Sequence, residues 1–301
     1  MTASPSHNNA IYLISPSSAV ADADALHLAC DRLQEMGFPT QLDQAALSKY
    51  LRFAGSDQER TQAFERALKQ PARFVMATRG GYGLSRLLPF INWQAVADSG
   101  KIFVGHSDFT AFNLALLAQT GSESWAGPTA AFDFGAPKVD ELTASLFAEA
   151  LRGELEILGF EAEESDAVDT RGVLWGGNLA MVTSLLATPY FPNIQGGILF
   201  LEDVGEHPYR IERMLAQLWQ AGVLASQNAI VLGQFTDYRL SEHDNGFTFD
   251  KVKSWLRKVV KTPVVAGLPY GHVPLKATLP VGRQVGLAVE AGMAYLVLNE
   301  H

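Results

Sequence analysis

Three side chains of the kinds that carry acyl-transfer chemistry stand at breaks in regular structure. Ser107 lies in Val104-Gly105-His106-Ser107-Asp108-Phe109-Thr110, where an apolar run, Lys101 to Val104, stops at a glycine and a helix-like run, Ala111 to Leu117, begins. A serine in such a place can cap the helix by accepting from the free N–H groups of its first turn. It can equally act as a nucleophile, because a sharp strand-to-helix turn lifts Oγ out of the sheet and aims the following backbone N–H groups at a developing oxyanion. Glu202 and Asp203 end an apolar run, Gly197 to Leu201. At least one of these carboxylates therefore meets a buried edge and needs a partner there, and Asp203 is the better helix N-cap of the two. His272, in Tyr270-Gly271-His272-Val273-Pro274, falls in a loop between two strands and taken alone reads as a surface histidine. As a set the three fit a hydrolytic triad, in which histidine removes the serine proton and the carboxylate fixes the histidine tautomer. Such a triad would have to form across a cleft between two halves of the chain.

Arg79-Gly80-Gly81-Tyr82-Gly83 follows another apolar run, Arg73 to Ala77. It is not a phosphate loop, since no Gly-Lys-Ser/Thr follows, and it lacks the dinucleotide spacing. Either its glycines make a tight turn or they let backbone N–H groups approach a substrate carbonyl as part of an oxyanion hole. Ser107 has no glycine two residues after it, which separates it from the G-x-S-x-G elbow. Among His7, His27, His106, His207, His243, His272 and His301 no pair has the i, i+4 spacing with an intervening Glu that metal hydrolases use. Neither a metal nor another cofactor is expected.

The elements that must position these residues alternate in the first half. Ala10 to Ser15, Phe38 to Leu42, Arg73 to Ala77 and Lys101 to Val104 read as strands, and Asp22 to Met36 and Asp57 to Lys69 as helices. That alternation indicates right-handed βαβ units and a parallel sheet, with ligands bound beyond the carboxyl ends of the strands. From Asp133 to Asp169 the pattern loosens into an acidic stretch, Glu161 to Asp166, that reads as a linker. Gly172 to Asn178 then leads into a helix at Leu179 to Leu186, Tyr209 to Gln220 is an amphipathic helix, and after His272 short strands dominate: Ala277 to Pro280, Gln284 to Glu290 and Met293 to Leu298.

Composition narrows the partners. With 301 residues, 48% hydrophobic and 18% charged, the chain can bury a sizeable core. Its formal net charge of −9, without a lysine or arginine run, disfavours nucleic acid. The single cysteine, Cys30, fits a reducing compartment. A polar opening segment without a signal pattern and the lack of a long uninterrupted apolar stretch predict a cytoplasmic protein with no membrane partner.

The motifs Arg79 to Gly83, Gly105 to Thr110, Leu174-Trp175-Gly176-Gly177-Asn178-Leu179, Leu199 to Val204 with Glu206 and Arg213-Met214-Leu215 downstream, and Gly271-His272 resemble the LD-carboxypeptidases of peptidoglycan recycling, the murein tetrapeptide carboxypeptidase family. The resemblance runs in order over nearly the whole chain. It implies Ser107 as nucleophile, His272 as general base, Glu202 as its orienter, and the N–H groups of Gly81 and Asp108 as oxyanion hole, without metal. The implied reaction is hydrolysis of the bond between the L-centre of meso-diaminopimelate and the terminal D-alanine of a cytoplasmic murein tetrapeptide. The implied fold is α/β: a Rossmann-like parallel sheet domain over residues 1–150, a linker over 151–170, and a β-rich α+β domain over 171–301 carrying acid and base, in a homodimer. Arg79 and Asn178, with Lys276 and Arg283, are candidates to grip the carboxylates of such a peptide. The family also holds microcin-immunity peptidases with the same triad motifs, which cleave a peptide-nucleotide toxin. A non-catalytic peptide-binding module is the third reading, and the intact Ser107, Glu202 and His272 speak against it.

Overall fold

Short, wholly apolar strands dictate a sheet covered on both faces, and the first half of the chain builds one. The computed structural model describes residues 9–299; residues 1–8 and 300–301, which include His7, His301 and most of the polar opening segment, lie outside the described residues. Strands β1 (Ile11–Ile14), β2 (Thr40–Leu42), β3 (Phe74–Ala77), β4 (Ile102–Gly105) and β5 (Ser124–Ala126) pair in parallel in the order β5-β4-β3-β1-β2. Every residue of β1 and β3 is buried. Helices α1 (Ala23–Glu35), α2 (Asp57–Leu68), α3 (Trp93–Asp98) and α4 (Thr110–Thr120) form the connections. Local chemistry sets their starts: the Asp22 carboxylate caps α1, and Ser56 and Glu59 close a capping box on α2. Helix α4, buried along most of its length from Thr110 to Leu117, follows directly on the turn that carries Ser107.

Helix α5 (Glu141–Arg152) leads to the second sheet, of order β10-β9-β8-β7-β12-β13-β6. Its members are β6 (Ile157–Glu161), β7 (Val168–Asn178), β8 (Ile198–Val204), β9 (Ala229–Thr236), β10 (Val264–Ala266), β12 (Gln284–Glu290) and β13 (Met293–Val297). Strand β7 belongs to two environments. Its residues 168–173, with near-alternating burial, pair antiparallel with β12, whereas 174–178, buried throughout, pair in parallel with β8. Helices α6 (Leu179–Ser184), α7 (Pro208–Gln220) and α8 (Phe249–Val259) connect the parallel part. The expected architecture, a Rossmann-like parallel sheet followed by a β-rich α+β region, is borne out.

Two expectations need correction. The loosened stretch from Asp133 to Asp169 contains β6, an edge strand whose burial alternates residue by residue; its short run is masked in the sequence by Gly159 and the adjoining acidic residues. Ala277 to Pro280 was expected to join the β-rich half, yet β11 (Leu279–Val281) pairs antiparallel with β5 and completes the first sheet. A three-residue strand carries too little pattern to name its sheet. Among the described residues no helix is long and apolar enough to cross a membrane.

Candidate active site

The turn after β4 places Ser107. His106 is still extended, and Ser107 then takes φ +65°, a left-handed conformation that is costly for a residue with a Cβ, before a tight helical turn over Ser107–Phe109 runs into α4. Two glycines make the turn possible. A Cβ on Gly105 would stand 2.4 Å from the Phe109 ring, and one on Gly80 would stand 2.6 Å from the Ser107 Cβ and 2.9 Å from its Oγ. The glycine-rich segment therefore lies against the serine, as its position beyond β3 requires. Gly81, expected to share an oxyanion hole with Asp108, adopts φ +112° within this turn. The Asp108 side chain is buried and its Oδ2 accepts from the Leu84 N–H at 2.9 Å. Burial pushes its carboxyl above the usual range, with the hydrogen bond from the Leu84 N–H opposing.

His272 Nε2 lies 3.1 Å from Ser107 Oγ, and its Nδ1 lies 2.8 Å from Glu202 Oε2. Residues 165 and 70 positions apart in sequence thus form one continuous hydrogen-bonded chain between the two sheets. Glu202 is fully buried in β8, where a register shift between Leu201 and Asp203 bends the strand. That bulge brings both carboxylates to one amide: Asn178 Nδ2 donates to Glu202 Oε1 at 3.1 Å and to Asp203 Oδ1 at 2.9 Å. Asp203 also accepts from the Ala180 N–H, so it does cap a helix, but that helix is α6 rather than the one following it in sequence. Burial, followed by the neighbouring Glu202 charge, raises the Asp203 carboxyl to about 6.

Asn178, expected to grip a ligand, is buried and committed. Besides its two carboxylate bonds, its Oδ1 caps α6 through the Met181 N–H, and its own N–H donates to Thr110 Oγ1 at 3.1 Å. Lys276 is fully buried and paired with Asp133 at 2.6 Å, and Arg283 pairs with Glu123 at 2.7 Å away from the triad. Both are thereby removed from the ligand-gripping set. Arg79 stays within reach: it donates to Ala19 O at 3.1 Å and borders a small recess with Asp22 and Phe132. That recess shares Asp22, Ala25, Ala131 and Phe132 with a cleft of about 480 Å³ that His272 lines.

Residues that sequence reasoning missed surround the triad. Phe132 and Asp133, on a one-turn π-helix over Ala130–Phe134, wall the cleft. His106 is buried, its ring 4.3 Å from that of His272, and burial, the Lys276 charge and His272 hold it well below the usual histidine range. Its position beside Ser107 was the available signal. Chain spacing also concealed that His106, Glu202 and His272 each bring a potential metal-ligating atom within 4.8 Å of the others, so the spacing argument against metal does not hold for this cluster.

The sequence matches the LD-carboxypeptidase N-terminal domain over residues 11–127 and the LD-carboxypeptidase C-terminal domain over residues 171–287. It is 30% identical to the murein tetrapeptide carboxypeptidase of Pseudomonas aeruginosa over 91% of each chain. The crystal structure of a muramoyltetrapeptide carboxypeptidase from Oxalobacter formigenes is 41% identical and superposes with a TM-score of 0.91 over 97% of this chain and 99% of that one. The microcin C7 self immunity protein MccF, bound to aspartyl sulfamoyl adenosine, shares the fold with a TM-score of 0.87 at 23% identity, over 97% of this chain and 96% of that one. The likeness spans both sheets and the segments bearing Ser107, Glu202 and His272, and the chain belongs to the LD-carboxypeptidase family of peptidases.

Proposed function

We propose that this protein is a metal-independent serine carboxypeptidase that removes the terminal D-alanine from a murein tetrapeptide by cleaving its bond to the L-centre of meso-diaminopimelate. The observation that carries the reading is the unbroken chain Ser107 Oγ to His272 to Glu202, at 3.1 and 2.8 Å. In this reading His272 Nε2 takes the Ser107 proton as Oγ attacks the scissile carbonyl, and Glu202 stabilises the imidazolium. The N–H groups of Gly81 and Asp108 receive the oxyanion; that of Asp108 lies in the first turn of a helical segment, where N–H groups lack intrahelical partners. His272 then protonates the leaving D-alanine amine, and water regenerates the enzyme by the reverse proton path. Arg79, at the edge of the cleft, is the candidate for a substrate carboxylate. Support for the substrate comes from the murein peptide relatives.

The test is product chromatography of L-Ala-γ-D-Glu-meso-diaminopimelate-D-Ala, its pentapeptide and an all-L analogue, with wild type and Ser107→Ala, before and after prolonged chelation. Release of D-alanine from the tetrapeptide alone, insensitive to chelator and absent in a folded Ser107→Ala, is expected. A pentapeptide places a neutral amide where a cationic or N–H donor awaits an anion, which costs several kcal/mol, or about a thousandfold in rate. Comparable cleavage of tetrapeptide and pentapeptide, or activity restored to chelated enzyme only by zinc, defeats the reading. Cleavage of an aminoacyl-nucleotide conjugate alone points instead to toxin immunity.

A further inference from the structure

We propose that His106, Glu202 and His272 form a binding site for a divalent transition cation of the zinc class, and that its occupation switches the triad off. One ligand atom from each residue lies within 4.8 Å of the others. Two imidazole nitrogens and a carboxylate oxygen suit zinc and its neighbours rather than magnesium or calcium, which require oxygen shells. A second observation singles out His106. It is 2% exposed, yet its Nε2 has no hydrogen-bond partner. The Gly271 backbone favours a proton on the ring, and the proposed site uses the unpartnered Nε2. A neutral imidazole protonated at Nδ1 carries its lone pair on Nε2, the form in which a histidine ligates a metal. The Lys276 charge, adverse to a cation here, is balanced by Asp133 at 2.6 Å. An ion can enter through the cleft that His272 lines.

Tetrahedral bonds of about 2.0–2.2 Å set ligand atoms roughly 3.3–3.5 Å apart. Glu202 Oε2 and His272 Nδ1, now 2.8 Å apart, must therefore spread slightly while His106 closes in. The site is thus suited to a reversible occupant. With the ion on Nδ1, the single ring proton of His272 moves to Nε2, which faces Ser107 Oγ at 3.1 Å. The nitrogen that should accept the serine proton then already bears one, and no net proton is released. Inhibition rests on the serine reading above, whereas binding does not.

The experiment uses cobalt(II) as a spectroscopic probe and zinc as a competitor, with wild type, Ser107→Ala, His106→Phe and Glu202→Gln. Wild type and Ser107→Ala are expected to develop the intense visible absorption of tetrahedral cobalt, displaced by zinc, with binding at least about tenfold weaker in His106→Phe and Glu202→Gln. Zinc should inhibit wild-type turnover reversibly, with an inhibition constant raised at least about tenfold in His106→Phe. His106→Gln serves the same purpose if the phenylalanine variant does not fold. Absence of a saturable cobalt spectrum in wild type, or equal binding in the His106 variants, overturns the proposal. A cobalt site dependent on His106 in a protein that cleaves none of the peptides would uphold the site and remove the serine reading.

Discussion

Asn178 shows at the scale of one side chain how the site is held. Its amide donates to Glu202 and Asp203 together, and its own backbone is tied to Thr110 at the start of the helix that follows Ser107. Asn178→Ala leaves two buried carboxylates without their common donor, a loss of about 1–3 kcal/mol in the position and charge of Glu202. The expected outcome is a kcat lowered roughly tenfold to a hundredfold with KM little changed. Asn178→Asp, which adds a third carboxylate, should lose more. A raised KM with unchanged kcat would return Asn178 to the role of ligand contact. Asp203 makes a separate prediction through pH. Its carboxyl is raised from 3.8 to about 6 by burial and by Glu202. The folded state therefore binds a proton more tightly than the unfolded chain does. This stabilising contribution is fully present below about pH 4 and is lost as pH rises through 6, up to about 3 kcal/mol in all. Denaturant unfolding of wild type and Asp203→Ala across pH 4 to 7 should show their difference shifting in favour of wild type as pH falls; a pH-independent difference contradicts this.

At the scale of elements, the strand-to-helix turn after β4 is the piece whose geometry is least forgiving. Ser107 is held at φ +65°, and Gly80 leaves it no room for a neighbouring side chain. Gly80→Ala, with its Cβ 2.6 Å from that of Ser107, should displace the serine by several tenths of an ångström or more and cost about a hundredfold in kcat. Circular dichroism should remain native, and a kcat within a factor of two of wild type would show that the turn gives way elsewhere. This turn was legible in the sequence because glycine and serine types at a strand end have few alternative readings. The apolar runs of β1, β3 and β4 were legible for the same reason: their signals are local. What stayed hidden is long-range. Lys276 and Asp133 stand 143 residues apart and carry no pattern announcing that they meet, so Lys276 reads as a free cation. The π-helix over Ala130–Phe134 has no periodicity of its own, and β11 is too short to declare its partner. The partner of a buried polar residue is set by topology, which is why Asn178 read as a ligand contact.

The whole molecule behaves as two sheets with one shared seam. Strand β11 leaves the second half of the chain to cover the β5 edge of the first sheet, where an unpaired strand would otherwise present free N–H and C=O groups. Beside it, Lys276 reaches Asp133 at 2.6 Å, the Lys276 N–H donates to Thr143 Oγ1 at 2.7 Å, and that hydroxyl donates to Pro274 O at 2.8 Å. Separating the halves would expose a strand edge and strand a buried charge, and breaking a buried pair by removing one partner costs about 3–5 kcal/mol. The two halves should therefore unfold together. Tryptophans report on each: Trp93 and Trp125 lie in the first half, and Trp175, Trp219 and Trp255 in the second. Urea unfolding of Trp93→Phe/Trp125→Phe, followed by fluorescence of the second half alone, should coincide with the transition seen by circular dichroism. Lys276→Met should lower the midpoint by the equivalent of about 3–5 kcal/mol while keeping the two probes together. If fluorescence and circular dichroism separate in wild type into two transitions, the seam does not couple the halves, and a cleft built across it would owe its geometry to something other than β11 and the Lys276–Asp133 pair.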